Sequence, residues 1–334
     1  MSQKRKLSHP ESYNIGWIAA LPIERAAAIA LLDERHDEPE GFDQHSNDGN
    51  AYGWGKVGQH NVVIASLPAG VYGTTSAAIT ASHLLSSLPH IKIGLLVGIG
   101  GGIPRPGRDI RLGDVVVSQP DGKSGGVIQY DLGKAKADST WERKGSLNMP
   151  PTVLLSALAK LQAEHELEDL QTTRILEAMT TKFPRMKSQY SFQGVDNDRL
   201  FPSTYKHSGG DTCDLCELSE QVVREKREST DPAIHYGLIA SGNTLVKDAD
   251  TRENIFKLAE EECLCVEMEA AGLANTFPCL VIRGICDYAD SHKNDKWQRY
   301  ASATAAAFAV ELLNYVPVRQ LQAAPRAVEL MEKG

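Results

Sequence analysis

Apolar runs and helical patterns alternate along most of this chain. Tyr13 to Leu21 predicts a strand, and Pro22 opens an alanine-rich helix over Ile23 to Leu32, proline being favoured in a first turn. Asp33 to Asn50 is acidic and polar, and predicts a solvent-exposed connection. Asn61 to Leu67 predicts a strand broken by Gly70 and Gly73, followed by a helix of small residues over Thr74 to Ser87. Ile91 to Gly98 is apolar enough for a central strand and runs into the glycines of Ile99 to Ile103, and Gly113 to Gln119 predicts another strand. The span 120–234 is less regular, with an amphipathic helix over Thr152 to Leu167 and a second helix expected over Leu218 to Glu228. Regular structure resumes with a strand at His235 to Ser241, a helix at Asp248 to Glu262, and a strand at Cys263 to Val266. A short helix over Ala270 to Thr276, a strand at Cys279 to Cys286 and a long helix at Trp297 to Tyr315 follow. Alternation of this kind predicts an α/β fold with a mostly parallel or mixed sheet, whose site lies at the carboxyl ends of strands.

Within that pattern we expect a disordered tail at 1–12 and a single domain at 13–317 with an elaborated insertion at about 120–234. A polar tail is expected at 318–334. An apolar content of 42% is enough for a substantial core, and a net charge of −8 disfavours nucleic acid as the main partner. No apolar run reaches the roughly 18 residues of a membrane span. The polar start lacks the apolar segment of a secretory signal. Cys263, Cys265, Cys279 and Cys286 lie in apolar runs, as small hydrophobes do, so a reduced, cytoplasmic setting is expected.

Candidate chemistry concentrates after strands. In Val266-Glu267-Met268-Glu269-Ala270-Ala271-Gly272 the two acids point to one side while the backbone stays extended. Unpaired buried acids are costly. A ligand with several hydroxyls, such as a ribose, would satisfy them, and so would backbone amides or a nearby arginine. Asp287 follows a strand, where a desolvated carboxyl with a raised pKa suits a general acid and where an aspartate also suits a turn cap. Glu24 stands in the first turn of a helix, favourable to its dipole. The run Gly98 to Gly102 lacks the GxGxxG spacing of a dinucleotide loop, and reads as a place where the backbone approaches a sugar or base closely. His207 with Cys213 and Cys216 has the elements of a zinc pattern, but a structural site needs four ligands. No second CxxC is nearby, so the residues read as an ordinary loop with no metal.

The Val-Glu-Met-Glu-Ala-Ala-Gly stretch resembles the ribose-binding signature of the purine nucleoside phosphorylase and nucleosidase superfamily. Ile282-Arg283-Gly284-Ile285-Cys286-Asp287 is similar to the family's strand whose terminal aspartate protonates the purine at N7. The resemblance covers roughly residues 13–119 and 235–316, and the organisation is similar to fungal nucleosidase domains, some fused to larger receptor-like proteins. It implies a three-layer α/β/α fold with a central mixed sheet, and cleavage of the N-glycosidic bond of purine ribonucleosides. In that reading Asp287 protonates the base and Glu24 activates water. Glu269 binds the ribose, Met268 packs beneath it, and Glu267 helps on the same face. Phosphorolytic relatives carry an arginine before the glycine turn and a Ser or Thr within it. Here Leu96 and Ile99 stand there, and neither binds phosphate. Arg25, beside Glu24, weakens that distinction. Ile99 and Gly100 are expected against the ligand, as are Asn243, Leu245 and Val246 of the loop that matches the family's base pocket. Because Leu245 replaces an aromatic found in methylthioadenosine nucleosidases, Phe201 or Tyr205 of the insertion is expected to stack on the base and cover the site. The resemblance implies no cofactor, and a homo-oligomer. The rival readings are a phosphate-dependent phosphorylase and a non-catalytic nucleoside-binding module.

Overall fold

The computed structural model describes residues 5–137 and 141–331. Twelve strands order the described residues: β1 Tyr13–Ala19, β2 Glu34–His36, β3 Gly53–Val57, β4 His60–Ser66, β5 Ile93–Gly102 and β6 Val115–Ser118, then β7 Val127–Gln129, β8 Gly133–Ala135, β9 Trp141–Arg143, β10 Ile234–Ser241, β11 Cys263–Glu267 and β12 Cys279–Asp287. The main sheet runs β11-β10-β6-β12-β5-β1-β4-β3-β2, with β7 on β10 and with β8 and β9 as a separate hairpin. Most central pairs are parallel, while β12–β6 and the β2–β3–β4 edge are antiparallel, so the sheet is mixed. β11 also pairs antiparallel with the end of β5, which curls one half of the sheet back on itself.

The helices are α1 Pro22–Ala30, α2 Thr74–Ser87, α3 Thr152–His165, α4 Thr172–Lys182, α5 Lys187–Tyr190, α6 Ala249–Leu258, α7 Ala270–Leu273, α8 Gln298–Tyr315, α9 Val318–Ala323 and α10 Ala327–Met331. α8 is buried nearly all round, packs on β12 and β5, and is covered by α1, α3, α4 and α5. α2 and α7 pack together on the other side. They approach so closely that a Cβ on Gly272 would lie 1.9 Å from the Thr74 carbonyl oxygen, which is why the signature ends in glycine. This is the expected three-layer α/β/α arrangement, and one apolar cluster runs through it from Tyr13 to Ala327.

Several expectations need correction. Residues 318–331 do not trail off as a polar tail, and 332–334 lie outside the described residues: α9 and α10 bury Leu321 and Ala327, and the Ala327 amide donates to the Ile91 carbonyl at 2.7 Å. Two apolar contacts in a polar stretch were enough to dock it. At the other end residues 1–4 lie outside the described residues, but 5–12 lie along the sheet edge. There the amides of Asp37 and Glu40 donate to the carbonyls of Arg5 and Leu7, pairing an otherwise open strand. The connection 33–50 contains β2, held by β3. The glycine run continues β5, which stays extended to Gly102, keeps β12 as its parallel partner to Gly101, and gains antiparallel β11 on its other edge beyond the end of the β1 pairing at Leu96. The helix expected at 218–228 is only a 3-10 turn at Leu218–Glu220. Beyond it Arg224 and Arg227 reach the carboxylates of Asp198 and Asp114, and these pairs hold the backbone out of a helix. Among the described residues no helix is long and apolar enough to cross a membrane.

Candidate active site

A cavity of about 290 Å³ opens where β1, β5, β11 and β12 end. Glu24, Ile99, Gly100, Leu245, Val246, Glu267, Met268, Glu269 and Asp287 line it together. A larger cleft of about 620 Å³, between 120–128 and 143–151, has no carboxylate in its lining, so volume alone would mislead.

Glu24 enters from the first turn of α1 and is almost fully buried. Its Oε2 accepts from the amides of Ala20 at 2.7 Å and Leu21 at 2.8 Å, and its Oε1 accepts from Ile99 at 2.9 Å. With one amide donor against two on Oε2, Oε1 keeps the larger share of free acceptor capacity. Burial pushes the Glu24 carboxyl up, against the pull of Arg283 and those amides. A Cβ on Gly98 would lie 2.5 Å from Glu24 Oε1 and 2.3 Å from Arg283 Nη1, so this glycine makes room for buried charges rather than for a sugar.

Glu267 and Glu269 do share a side, and what they share it with is Arg283. That guanidinium is fully buried, and its Nη2 donates to Glu267 Oε2 and, at 3.3 Å, to Glu269 Oε2. Glu267 also accepts from the amides of Glu269 and Ala270, at 3.1 Å each, so its acceptor sites are largely filled by the protein. Glu269 accepts in addition only from the Gly73 amide, at 3.2 Å. Burial drives the Glu269 carboxyl upward, Arg283 opposes this, and the charges of Glu267 and Glu24 add to the rise. Arg283 is the residue that sequence reasoning missed. The signal was present: a lone arginine inside the apolar run Cys279 to Cys286 requires a buried anion.

Asp287 closes β12 and is 4% exposed. The isolated, desolvated acid expected from sequence is not what the fold provides. Oδ1 accepts from the Ala289 amide at 2.8 Å, the turn-capping role, while Oδ2 faces Lys293 Nζ at 2.9 Å and the Cys286 thiol at 3.0 Å. The pair raises the Lys293 ammonium against the cost of its burial. Lys293 also lines the cavity, as do Tyr72 and Lys247, and none of these was foreseen.

Three expected residues do not reach the cavity. Asn243 uses its Oδ1 on the amide and hydroxyl of Thr74, at 3.0 Å each, and so ties its loop to the start of α2. Phe201 is buried, stacking on His292 at 4.2 Å between ring centroids and on Tyr205 at 5.1 Å. Aromatics on a polar loop found a small core of their own before they found a ligand. Arg25 also points elsewhere, donating to the Ala51 carbonyl at 2.7 Å and Ser66 Oγ at 2.8 Å.

Residues 186–314 match the sequence model of the Phosphorylase superfamily. A nucleotide-binding leucine-rich repeat (NLR)-like protein of Hyaloscypha variabilis is 46% identical over 315 residues, covering 94% of this chain and 30% of that protein. The ATP nucleosidase Cap17 of Escherichia coli is 35% identical over 86 residues, 24% of this chain and 17% of that protein. The chain thus spans less than a third of the length of either relative. Among solved structures, a 5′-methylthioadenosine/S-adenosylhomocysteine nucleosidase of Neisseria meningitidis, in complex with methylthio-immucillin-A, superposes with a TM-score of 0.56. It is 17% identical, with 90% of this chain and 98% of that one covered. Signature and fold agree with this partial match: residues 186–314 are similar to the phosphorylase superfamily, and the chain shares the fold of the nucleosidase neighbours.

Proposed function

We propose that this chain hydrolyses the N-glycosidic bond of purine ribonucleosides to free base and ribose. The observation that carries the reading is the charge balance of the cavity. Glu24, Glu267, Glu269 and Asp287 are buried in its wall, and with Asp295 they outnumber the cations: Lys293, part-buried and paired to Asp287, Arg283, buried behind the wall and paired to Glu267 and Glu269, and the exposed Lys247. A wall in which acids outnumber cations disfavours a dianionic phosphate. Water needs only a base, and Glu24 supplies one. The E. coli relative named as a nucleosidase and the nucleosidase neighbours in fold support the same reaction type.

In this reading Asp287 gives a proton to N7 and turns the base into a neutral leaving group. Lys293 stands 2.9 Å from its Oδ2, where its ammonium stabilises the carboxylate left after the transfer, and the proton is replaced from solvent. Glu24 orients water and takes its proton at Oε1, the oxygen with spare acceptor capacity. Glu269, the less fully satisfied of the signature acids, accepts from the ribose hydroxyls, and Met268 packs beneath the sugar. Glu267 holds Arg283 and the turn into α7 in place. Base release should be measured in phosphate-free buffer on adenosine, inosine, guanosine, 5′-methylthioadenosine and ATP, with and without added phosphate. We expect free ribose or its 5′-substituted form as product. Ribose 1-phosphate as product, with no turnover when phosphate is withheld, would sink the reading in favour of a phosphorylase. Binding without release would leave a nucleoside-binding module.

Glu24→Gln is expected to lower turnover about a hundredfold or more, the scale of a lost general base. Because burial lifts the wild-type carboxyl, the acid limb of the turnover profile should lie above the ordinary glutamate value of about 4.3. Base activity needs the ionised form, so activity falls as pH drops through that limb. An unchanged limb in the glutamine variant would show that another group is the base.

Glu269→Ala is expected to weaken a riboside inhibitor by roughly 1–3 kcal/mol while free base binds as before, since only the riboside loses hydroxyl acceptors. Calorimetry with both ligands separates the two cases. Equal weakening for base and riboside would remove Glu269 from the sugar site.

A further inference from the structure

The irregular part of the insertion is the least self-sufficient piece of the fold. Between α5 and β10 the chain has only 3-10 turns, at Val195–Asn197, Cys213–Leu215 and Leu218–Glu220. Its own apolar cluster is Phe201, Cys213 and Cys216, with Tyr205 at the side. So little buried surface does not order a long loop. Yet the fold gathers His207, Cys213 and Cys216, whose ligand atoms lie within 4.8 Å of one another.

A second observation points to the same place. His292, on the segment after β12, is 7% exposed, and neither of its ring nitrogens has a hydrogen-bond partner. A buried, unsatisfied imidazole is costly. Nδ1 has Asp290 Oδ1 at 3.5 Å, so Nε2 is the nitrogen with nothing to answer it. The residue adjoins the three others: its ring centroid is 5.5 Å from that of His207, and its carbonyl accepts from Cys213 Sγ at 3.7 Å.

We propose that His207, Cys213, Cys216 and His292 form a structural zinc site that fastens the insertion to the segment after β12. The donor set, two thiolates and two imidazoles, is one that tetrahedral structural zinc takes. Zinc bonds of about 2.0–2.3 Å put neighbouring ligand atoms within ~4 Å of each other, so His207, Cys213 and Cys216 need only close in slightly, while the adjoining His292 ring has to turn towards them. His207 has the outer contact such ligands use: Nε2 meets the Thr212 carbonyl at 3.0 Å, which leaves Nδ1, now accepting weakly from the Gly209 amide at 3.2 Å, for the metal. Asp290 is in the same position for His292. The sequence argument against zinc was the missing fourth ligand, and the fold brings it from 76 residues beyond Cys216, past the range of any local pattern. The site has a consequence for the cavity, because His292 immediately precedes Lys293, the partner of Asp287.

The test uses the full chain. Plasma mass spectrometry of protein purified without chelator, and of the same protein after zinc addition and gel filtration, should find about one zinc per chain. Cobalt(II) in its place should give thiolate charge-transfer bands in the near ultraviolet and the intense visible bands of a tetrahedral site. Cys213→Ser with Cys216→Ser should abolish both signals. His292→Ala should shift the visible bands while keeping the thiolate bands, which remains readable if the double variant fails to fold. Wild-type protein that retains no zinc, metal that persists in the double cysteine variant, or a native Cys213–Cys216 disulfide would each overturn the proposal. Visible bands unmoved by His292→Ala would remove that residue from the ligand set.

Discussion

Asp287→Asn is expected to reduce turnover on purine nucleosides by about two orders of magnitude or more, while the fold survives. The asparagine is isosteric and can still accept from the Ala289 amide through its carbonyl, so the turn after β12 keeps its cap. What it cannot do is carry a transferable proton or pair with Lys293. The effect should therefore fall on bond cleavage, leaving inhibitor affinity largely in place. A useful contrast is a substrate with an activated leaving group, which needs no protonation of the base and should lose far less. Near-normal turnover of ordinary purine nucleosides by the asparagine variant would show that the leaving group is activated elsewhere.

Arg283→Met is expected to produce the largest loss of stability of any single change in the site, about 3–5 kcal/mol, because it leaves Glu267 and Glu269 as uncompensated buried acids. The loss has a pH signature. Without the guanidinium, Glu269, whose carboxyl burial already drives upward, holds its proton in the folded state at a pH where the unfolded chain has released it. The folded form then binds more protons than the unfolded form, so the deficit grows as pH rises and shrinks as it falls. Denaturant melts at several pH values read this directly. A deficit that is small, or that does not vary with pH, would mean that the acids are held by their amide contacts alone.

The fold was legible wherever burial was periodic. β1, β10, β12 and α8 carry long apolar runs or faces, and hydrophobic burial is local enough in sequence to announce them. The short pieces were not legible. β2 has three residues, α9 has six, and each is held by contacts made across the chain, to β3 in one case and to the main core in the other. The failed helix after Leu218 shows the opposite error, in which local propensity was overridden by arginines drawn to Asp198 and Asp114.

The sequence by itself determined the α/β layering and placed the acids after strands, because strand ends and helix starts are written in neighbouring residues. It also determined that Glu267 and Glu269 face one way, a consequence of the two-residue repeat of extended backbone. Which partner each charge meets was decided only by tertiary structure. Arg283 reaches the signature acids from 14 and 16 residues away, and Ile99 reaches Glu24 across 75. The same holds for Phe201 and Tyr205, which looked free to cover a ligand and instead enclose His292. A pattern records how much a side chain gains by leaving water, whereas its partner depends on strand order and loop closure, which no local run of residues encodes.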